Sequence, residues 1–248
     1  MAETITISIN EFRALLRKAF EGLYVHEQDY NQLARLVIWL ECRKLSGIKM
    51  FLEAEDGPGS RWDLNLNELD SGEYFIEANG MSLLCFNDLA CDLAIGRAKN
   101  SGMSIVHISG AMHPEVIAAS VARCVRNGLS ACAWWPDEDV EVANLASQEA
   151  GQAEPMMCRV DLPKSYGGHI ENVTLVCAEK LSDLESKYRH WFSYKDEDYI
   201  ASDMLSSTFT QSLDNGLTLS MESYKRLCHC ADRVLVEATE ASRRGAGA

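Results

Sequence analysis

One histidine in this chain has the neighbours that acid–base chemistry needs. His113 closes a run of small residues, Ser109-Gly110-Ala111-Met112, that follows an apolar, strand-like segment (Met103–Ile108) and precedes Pro114. Imidazole exchanges a proton near neutral pH, so a histidine there suits a general acid or a hydrogen-bond donor to a carbonyl oxygen. The carboxyl end of a strand, beside the first turn of the next helix, is where open α/β sheets collect ligands. Unpaired N–H groups at that helix start favour anionic groups, and the positive helix end favours the neutral ring. Ser109 can orient a ligand, and Gly110 permits close backbone approach. The plainer reading is a loop that merely caps a helix beginning at Pro114.

Other chemistry-bearing residues have weaker claims. His107 falls inside the strand and is expected to point into a packed face, and its spacing from His113 suits no metal site. Cys228-His229-Cys230 would point in three directions on a helix. Asp88 with Asp92, and the run Asp196-Glu197-Asp198, read as solvated faces, and Trp134-Trp135 as core aromatics. No G-x-G-x-x-G and no Walker sequence occurs, so the usual routes to nucleotide binding are missing. No metal is expected. The closing Glu240–Ala248 stretch, with Arg243-Arg244 among small residues, reads either as an anion-reading tail or as a frayed terminus.

The elements that must position His113 follow from periodicity and punctuation. Ser8-Ile9-Asn10-Glu11 has capping-box spacing and predicts a helix to about Leu23. A second helix is predicted from Glu27 to Leu45 with Gly47 as its stop, and Ile48–Glu53 adds a turn. After a turn-rich loop (Glu55–Ser60), strands and helices alternate. The pattern predicts a strand at Met81–Phe86, a helix at Asp88–Asn100 capped by Asn87, and the strand before His113. A helix at Pro114–Asn127 and a strand at Leu129–Trp135 follow, with Gly102 and Gly128 as helix stops.

Such alternation implies βαβ units and a largely parallel core. Residues 137–154 read as loop with some helix. Met156–Asp161 and Asn172–Cys177 read as a hairpin joined through 163–168. Helices are predicted at Leu181–Phe192, Asp196–Ser206 and Leu219–Ala238. The fold class expected is therefore α/β: a mixed sheet with βαβ units, an N-terminal helical lobe and C-terminal helices. The corresponding segments are 1–55, 56–180 as the α/β core, and 181–248 returning to it.

At 248 residues and 47% hydrophobic, the chain can bury a sizeable core. Its formal charge of -14 opposes binding to nucleic acid and to anionic membranes. Nine cysteines without a CxxC pair point to reduced thiols. Met1–Ile5 lacks the features of a secretory leader, and no apolar run reaches membrane length, so a cytoplasmic protein is expected.

Two resemblances enter on particular residues. Ser8-Ile9-Asn10-Glu11, the Trp39…Leu45-Ser46-Gly47 region and the closing Val236–Ala248 together resemble an uncharacterised bacterial family with no established activity. The pattern Ala90…Ala94…Ala98…Ser101-Gly102-Met103…His113…Ala118…Ala122…Asn127-Gly128-Leu129 more remotely resembles the malate/L-lactate dehydrogenase family that lacks a Rossmann fold. That second resemblance implies reduction of 2-oxo acids or cyclic imino acids with NAD(P)H by a dimer. His113 would be the proton donor and Ser109 a looser match to the loop serine. The family's Ser-His-Gly motif and following arginine correspond here to Leu45-Ser46-Gly47-Ile48-Lys49-Met50, without the histidine or the arginine.

The expectation is an NAD(P)-dependent oxidoreductase-like protein acting on a small carboxylate, with NAD or NADP as cofactor, as a homodimer. His113 and Ser109 are its catalytic candidates, and Ser46, Lys49 and Gly110 its substrate-binding candidates. The alternative is a non-catalytic relative that binds a small ligand or a partner protein through the same cleft. The missing histidine and arginine favour the alternative, and the retained loop around His113 favours the enzyme.

Overall fold

Ser8 and Glu11 form the expected capping box. The Glu11 N–H donates to the Ser8 hydroxyl at 3.2 Å, and the Glu11 carboxylate accepts the Ser8 N–H at 2.9 Å and its hydroxyl at 2.7 Å. Those bonds from Ser8 hold the Glu11 carboxyl below its usual range. The computed structural model describes residues 3–24, 30–54, 64–137, 142–161, 173–180, 182 and 193–233. A short strand, β1 (Thr4–Ile7), precedes the box and helix α1 (Ile9–Tyr24) follows it.

Helix α2 (Tyr30–Glu41) buries Leu33, Ala34, Val37, Ile38 and Leu40, but stops short of the expected Leu45. The chain turns there, with Lys44 and Ser46 at φ 59° and 56°. Gly47 does not stop α2 but starts helix α3 (Gly47–Ala54). A Cβ on Gly47 would lie 2.5 Å from the Val37 carbonyl oxygen, so glycine is what lets α3 pack so closely on α2.

The main sheet contains β2 (Asn65–Glu68), β3 (Tyr74–Glu77), β4 (Met103–Ser109), β5 (Ser130–Pro136), β6 (Val142–Gln148), β7 (Met156–Asp161), β8 (Val173–Ala178) and β9 (Ser193–Ile200). Their order is β2-β3-β4-β8-β5-β6-β7-β9. Helices α4 (Leu83–Ser101) and α5 (Ile117–Arg126) make the crossovers from β3 to β4 and from β4 to β5. The βαβ units and the mixed sheet are thus present. The expectation of a largely parallel core is corrected: among the described strands only β3 and β4 pair in parallel, because β8 inserts antiparallel between β4 and β5. All six β8 residues are buried, as an apolar central strand covered on both faces requires.

Several local expectations also change. Met81–Phe86 is no strand, since the strand lies upstream as β3 and α4 already begins at Leu83. Its N-cap is Ser82, not Asn87, and the Ser82 hydroxyl accepts the Leu84 N–H at 3.3 Å. Asn87 is buried and accepts the Ser120 hydroxyl at 2.7 Å. Segment 137–154, expected to be mostly loop with some helix, contains β6, with loop after it and no helix among its described residues. β7 and β8 form no hairpin; they pair with different neighbours, and 163–168 lies outside the described residues.

Towards the C-terminus, β9 occupies the start of the helix expected at 196–206, and helix α6 (Ser202–Asn215) follows it. The helix expected at 219–238 is preceded by β10 (Leu217–Ser220), paired antiparallel with β1, and runs as α7 (Met221–Asp232). Apart from Ser182, the helix expected at 181–192 lies outside the described residues, as does the 240–248 tail.

Alternation along the strands divides the core between two sheet faces. Val106, Ile108, Ala131, Ala133, Leu175 and Cys177 join the large cluster that also contains Phe12, Val37, Phe51, Phe86 and Leu227. Ile105, Cys132, Trp134, Leu145, Val160 and Val176 form the other cluster. Trp134 and Trp135 are core residues on opposite faces, 2% and 4% exposed. His107 lies within the sheet as expected, its Nδ1 3.0 Å from Thr174 Oγ1 and its Nε2 3.4 Å from a Glu73 carboxylate oxygen. No helix among the described residues is long and apolar enough to cross a membrane.

A buried ion pair ties distant segments together. The Arg43 guanidinium lies between the Trp39 and Phe209 rings, 4.4 and 4.5 Å from their centroids. It grips the Glu154 carboxylate with two prongs, Nε donating at 2.8 Å and Nη2 meeting the other oxygen. The Ser202 hydroxyl donates to the Glu154 carbonyl at 2.8 Å, bringing in α6. Glu154→Ala should leave a buried guanidinium without its counter-ion, costing about 3–5 kcal/mol. Adding Arg43→Met should recover most of that loss in urea melts. A single-variant loss below about 1 kcal/mol would contradict this role, because that is the range of an exposed pair.

Candidate functional site

The loop after β4 is held by main-chain bonds to the segment after β3. Ala78 N–H donates to the Ser109 carbonyl at 2.9 Å, and Gly80 N–H to the Gly110 carbonyl at 2.8 Å. Met112 N–H then donates to the Met81 carbonyl at 3.0 Å, and Leu83 N–H to the Met112 carbonyl at 2.9 Å. Gly110 adopts φ 63°, the left-handed region that glycine enters without strain. His113 adopts φ 56° and ψ 55° at the end of this zipper. A 3-10 turn, Pro114–Val116, separates it from α5, so the α-helix starts three residues later than expected.

Both ring nitrogens of His113 are engaged. Nδ1 lies 2.8 Å from Ser82 Oγ and Nε2 lies 3.2 Å from Glu53 Oε2. With Glu53 ionised, Nε2 carries the proton that bonds it, and the Ser82 hydroxyl can donate to Nδ1 of the neutral ring. The His113 side chain is 9% exposed, whereas that of Glu53 is 48% exposed. Glu53 therefore stands between the ring and solvent. Its other oxygen lies 3.8 Å from Lys49 Nζ, one helical turn back on α3.

Glu53 also links the histidine to Ser46 and Lys49, the sequence-predicted residues at the start of α3. Ser46, Lys49 and Glu53 line a cleft of about 290 Å³ with Lys44, Glu115 and Met157. The same three residues line an adjoining cleft of about 400 Å³, with Glu41, Glu222 and Arg226 on its other walls. Burial raises the Glu41 carboxyl above its usual range, against the pull of the N–H groups of Ile48 and Gly47 that it caps. Among the described residues, the non-glycine positions with positive φ are Lys44, Ser46, Asn79 and His113. Lys44 and Ser46 lie in the α2–α3 turn, Asn79 in the turn after β3 and His113 in the loop after β4, the three turns that build this site.

The structure thus brings Ser46 and Lys49 together at Glu53, and Glu53 to His113. Ser109 and Gly110 stay at the end of β4 with their carbonyls bonded to the 78–80 segment. The serine that meets the ring is Ser82. Ser82 and Glu53 were missed by sequence reasoning. Ser82 carries a legible signal, a serine just before a helix, but the short apolar run Met81–Phe86 obscures it. Glu53 had none, since it lies 60 residues from its partner. Among the described residues, no three His, Cys, Asp or Glu side chains gather as a metal ion would need.

Residues 7–82 match the profile of a family described as "Protein of unknown function (DUF3726)". The match contains the Ser8–Glu11 and Trp39–Gly47 stretches but covers about a third of the chain, less than the resemblance implied, and excludes the tail. No curated protein matches the sequence. Among solved structures, a dehydrogenase from Sinorhizobium meliloti is similar with a TM-score of 0.64 at 12% identity, covering 92% of this chain and 100% of its own. Malate dehydrogenase from Pyrococcus horikoshii OT3 gives 0.63 at 12% identity, covering 96% and 98%. Delta1-piperideine-2-carboxylate reductase from Pseudomonas syringae pathovar tomato gives 0.60 at 12% identity, covering 91% and 99%. The chain therefore has the fold of malate/lactate dehydrogenase-like proteins, and the remote similarity seen in the sequence holds at the level of fold.

Removing Ser82 Oγ takes away both a helix cap and the partner of an almost buried imidazole. Ser82→Ala should cost about 1–2 kcal/mol in denaturant melts. Glu53→Ala should stay within about 1 kcal/mol of wild type, because Glu53 is half exposed. Equal losses for the two variants would contradict the division between a structural and a solvent-facing partner of His113.

Proposed function

We propose that this chain is an NAD(P)-dependent oxidoreductase-like protein acting on a small carboxylate, a 2-oxo acid or a cyclic imino acid. The observation that carries the reading is His113 Nε2 paired with Glu53 at the cleft that Ser46 and Lys49 also line. The dehydrogenase-like fold along nearly the whole chain supports the class, and the reductase among its structural neighbours is named for a cyclic imino carboxylate. In this reading the ligand carboxylate meets Lys49 and Ser46, and Glu53 turns outward. His113, as the imidazolium with its Nδ1–H donating to Ser82 Oγ, then gives its Nε2 proton to the carbonyl oxygen or imine nitrogen of the ligand. The protein would work as a cytoplasmic homodimer that avoids nucleic acid.

NAD or NADP would supply the hydride when bound, but the two clefts beside Glu53 do not fit its diphosphate. The larger one sets Glu41, Glu53 and Glu222 against Lys49 and Arg226. The loop N–H groups of Ala78, Gly80 and Met112 are committed to carbonyls. These walls would not hold the nucleotide. That misfit, with both His113 nitrogens occupied, favours a second reading: a non-catalytic relative that binds a small carboxylate or a partner protein through the same cleft.

Titration with NADH and NADPH, followed by nucleotide fluorescence and thermal shift, separates the two. Saturable binding of either nucleotide, with turnover of a 2-oxo or cyclic imino acid, would support the first reading. His113→Asn, which tolerates positive φ, should lower kcat by at least about 100-fold with Tm little changed. Absence of nucleotide binding at millimolar concentration would leave the second reading, and unchanged kcat in the variant would overturn the role given to His113.

A further inference from the structure

Three buried thiols meet where the two crossover helices pack on the sheet. Cys91 comes from α4, Cys124 from α5 and Cys177 from β8. The Cys177 thiol donates to Cys124 Sγ at 2.9 Å, and Cys91 Sγ lies 3.8 Å from Cys124 Sγ. The Cys91 thiol also faces the Ser120 carbonyl at 3.8 Å. Cysteine commonly serves as a small core residue, which accounts for Cys132 and Cys158 among their apolar neighbours. Packing alone gives no reason for three sulfurs in contact on three separate elements.

We propose that Cys124 and Cys177 are a modification site: a reversible disulfide formed by a diffusible hydroperoxide, with Cys91 as a third thiol able to exchange onto Cys124. The sulfur atoms need to approach by less than 1 Å, from 2.9 Å to the bonded length of about 2.05 Å. In the first step one thiol attacks the peroxide O–O bond, giving a sulfenic acid and releasing an alcohol, or water when the oxidant is hydrogen peroxide. In the second step the other thiol displaces water from that sulfenic acid and the S–S bond forms. Two sulfurs each lose one electron, and the peroxide takes up the pair.

Reactivity at this site is gated by burial. Hydrogen bonding between the thiols and their burial push Cys91 and Cys124 well above the usual thiol range. The thiolate is the attacking species, so oxidation waits for local opening of the helix–sheet junction. Once formed, the bond is screened from reductant by the same packing. It also pins α5, the helix that leads out of the His113 turn, to the central strand β8. The disulfide is thus a slow latch rather than a catalytic thiol pair.

The test uses the reduced full-length protein and hydrogen peroxide. After acid quench, alkylation in denaturant and digestion, mass spectrometry maps each cysteine, with the half-exposed Cys228 showing that the oxidant was active. The expected product is a linked Cys124–Cys177 peptide pair lacking two hydrogens and restored by dithiothreitol. The oxidised protein should melt roughly 5–10 °C higher. In Cys177→Ala the link should move to Cys91–Cys124 or vanish together with the gain in Tm. Free or sulfinic Cys124 and Cys177 after Cys228 has reacted would overturn the proposal, as would a link that forms only in denaturant. The wild-type peptide map decides the question even if the variant fails to fold.

Discussion

Strands β3 and β4 run parallel, and the two segments that leave them at the same end remain bonded to each other. The ladder continues through Ala78 to Ser109, Gly80 to Gly110 and Met112 to Met81, and ends at Leu83 in the first turn of α4. The placing of His113 and Ser82 at the candidate site depends on this extension. It sets Ser82 beside the turn that carries His113, and it over-determines a backbone that would otherwise relax. A non-glycine residue held in the left-handed region costs about 1–3 kcal/mol, and four neighbouring main-chain bonds are a sufficient means of holding it there.

One hydroxyl joins stability to the site. Ser82 Oγ caps α4 through the Leu84 N–H and also faces His113 Nδ1, so the helix cannot shift its start without releasing the ring. The partner on the opposite nitrogen comes from a different part of the chain. Glu53 reaches His113 because α3 lies tightly on α2, and that closeness rests on Gly47 having no side chain. Two independent packing constraints thus converge on one imidazole, one from the sheet and one from the helices. Ser82 is buried and fixed, whereas Glu53 is half exposed and paired with a lysine on its solvent side. A ligand carboxylate can compete with Glu53 for the same two partners.

Local signals in the sequence were read well and distant ones were not. The Ser8–Glu11 box, the stops at Gly102 and Gly128, and the extents of β4, β5, β7 and β8 all depend on neighbours a few residues apart. The antiparallel insertion of β8 does not, because its apolar run is the same whichever strands flank it. Met81–Phe86 shows how a short apolar run misleads: its burial belongs to the first turn of a helix, and periodicity cannot separate the two over six residues. The β6 segment, with small and polar residues mixed among apolar ones, becomes a strand through pairing with β5 and β7, which local composition does not announce. At the site, His113 was legible from its loop, while Ser46 and Lys49 entered through a resemblance. Glu53 was illegible because only the folded chain brings it near.

The central claim is that His113, behind Glu53, is the group a small carboxylate ligand reaches. The most direct measurement is the side-chain NMR spectrum of the protein carrying ¹⁵N-labelled histidine, recorded during titration with pyruvate. The account predicts a saturable change at the His113 ring nitrogens as Glu53 is displaced, while His107, enclosed within the sheet, stays constant. A His113 signal that does not move, or equal drift at all six histidines, would contradict it.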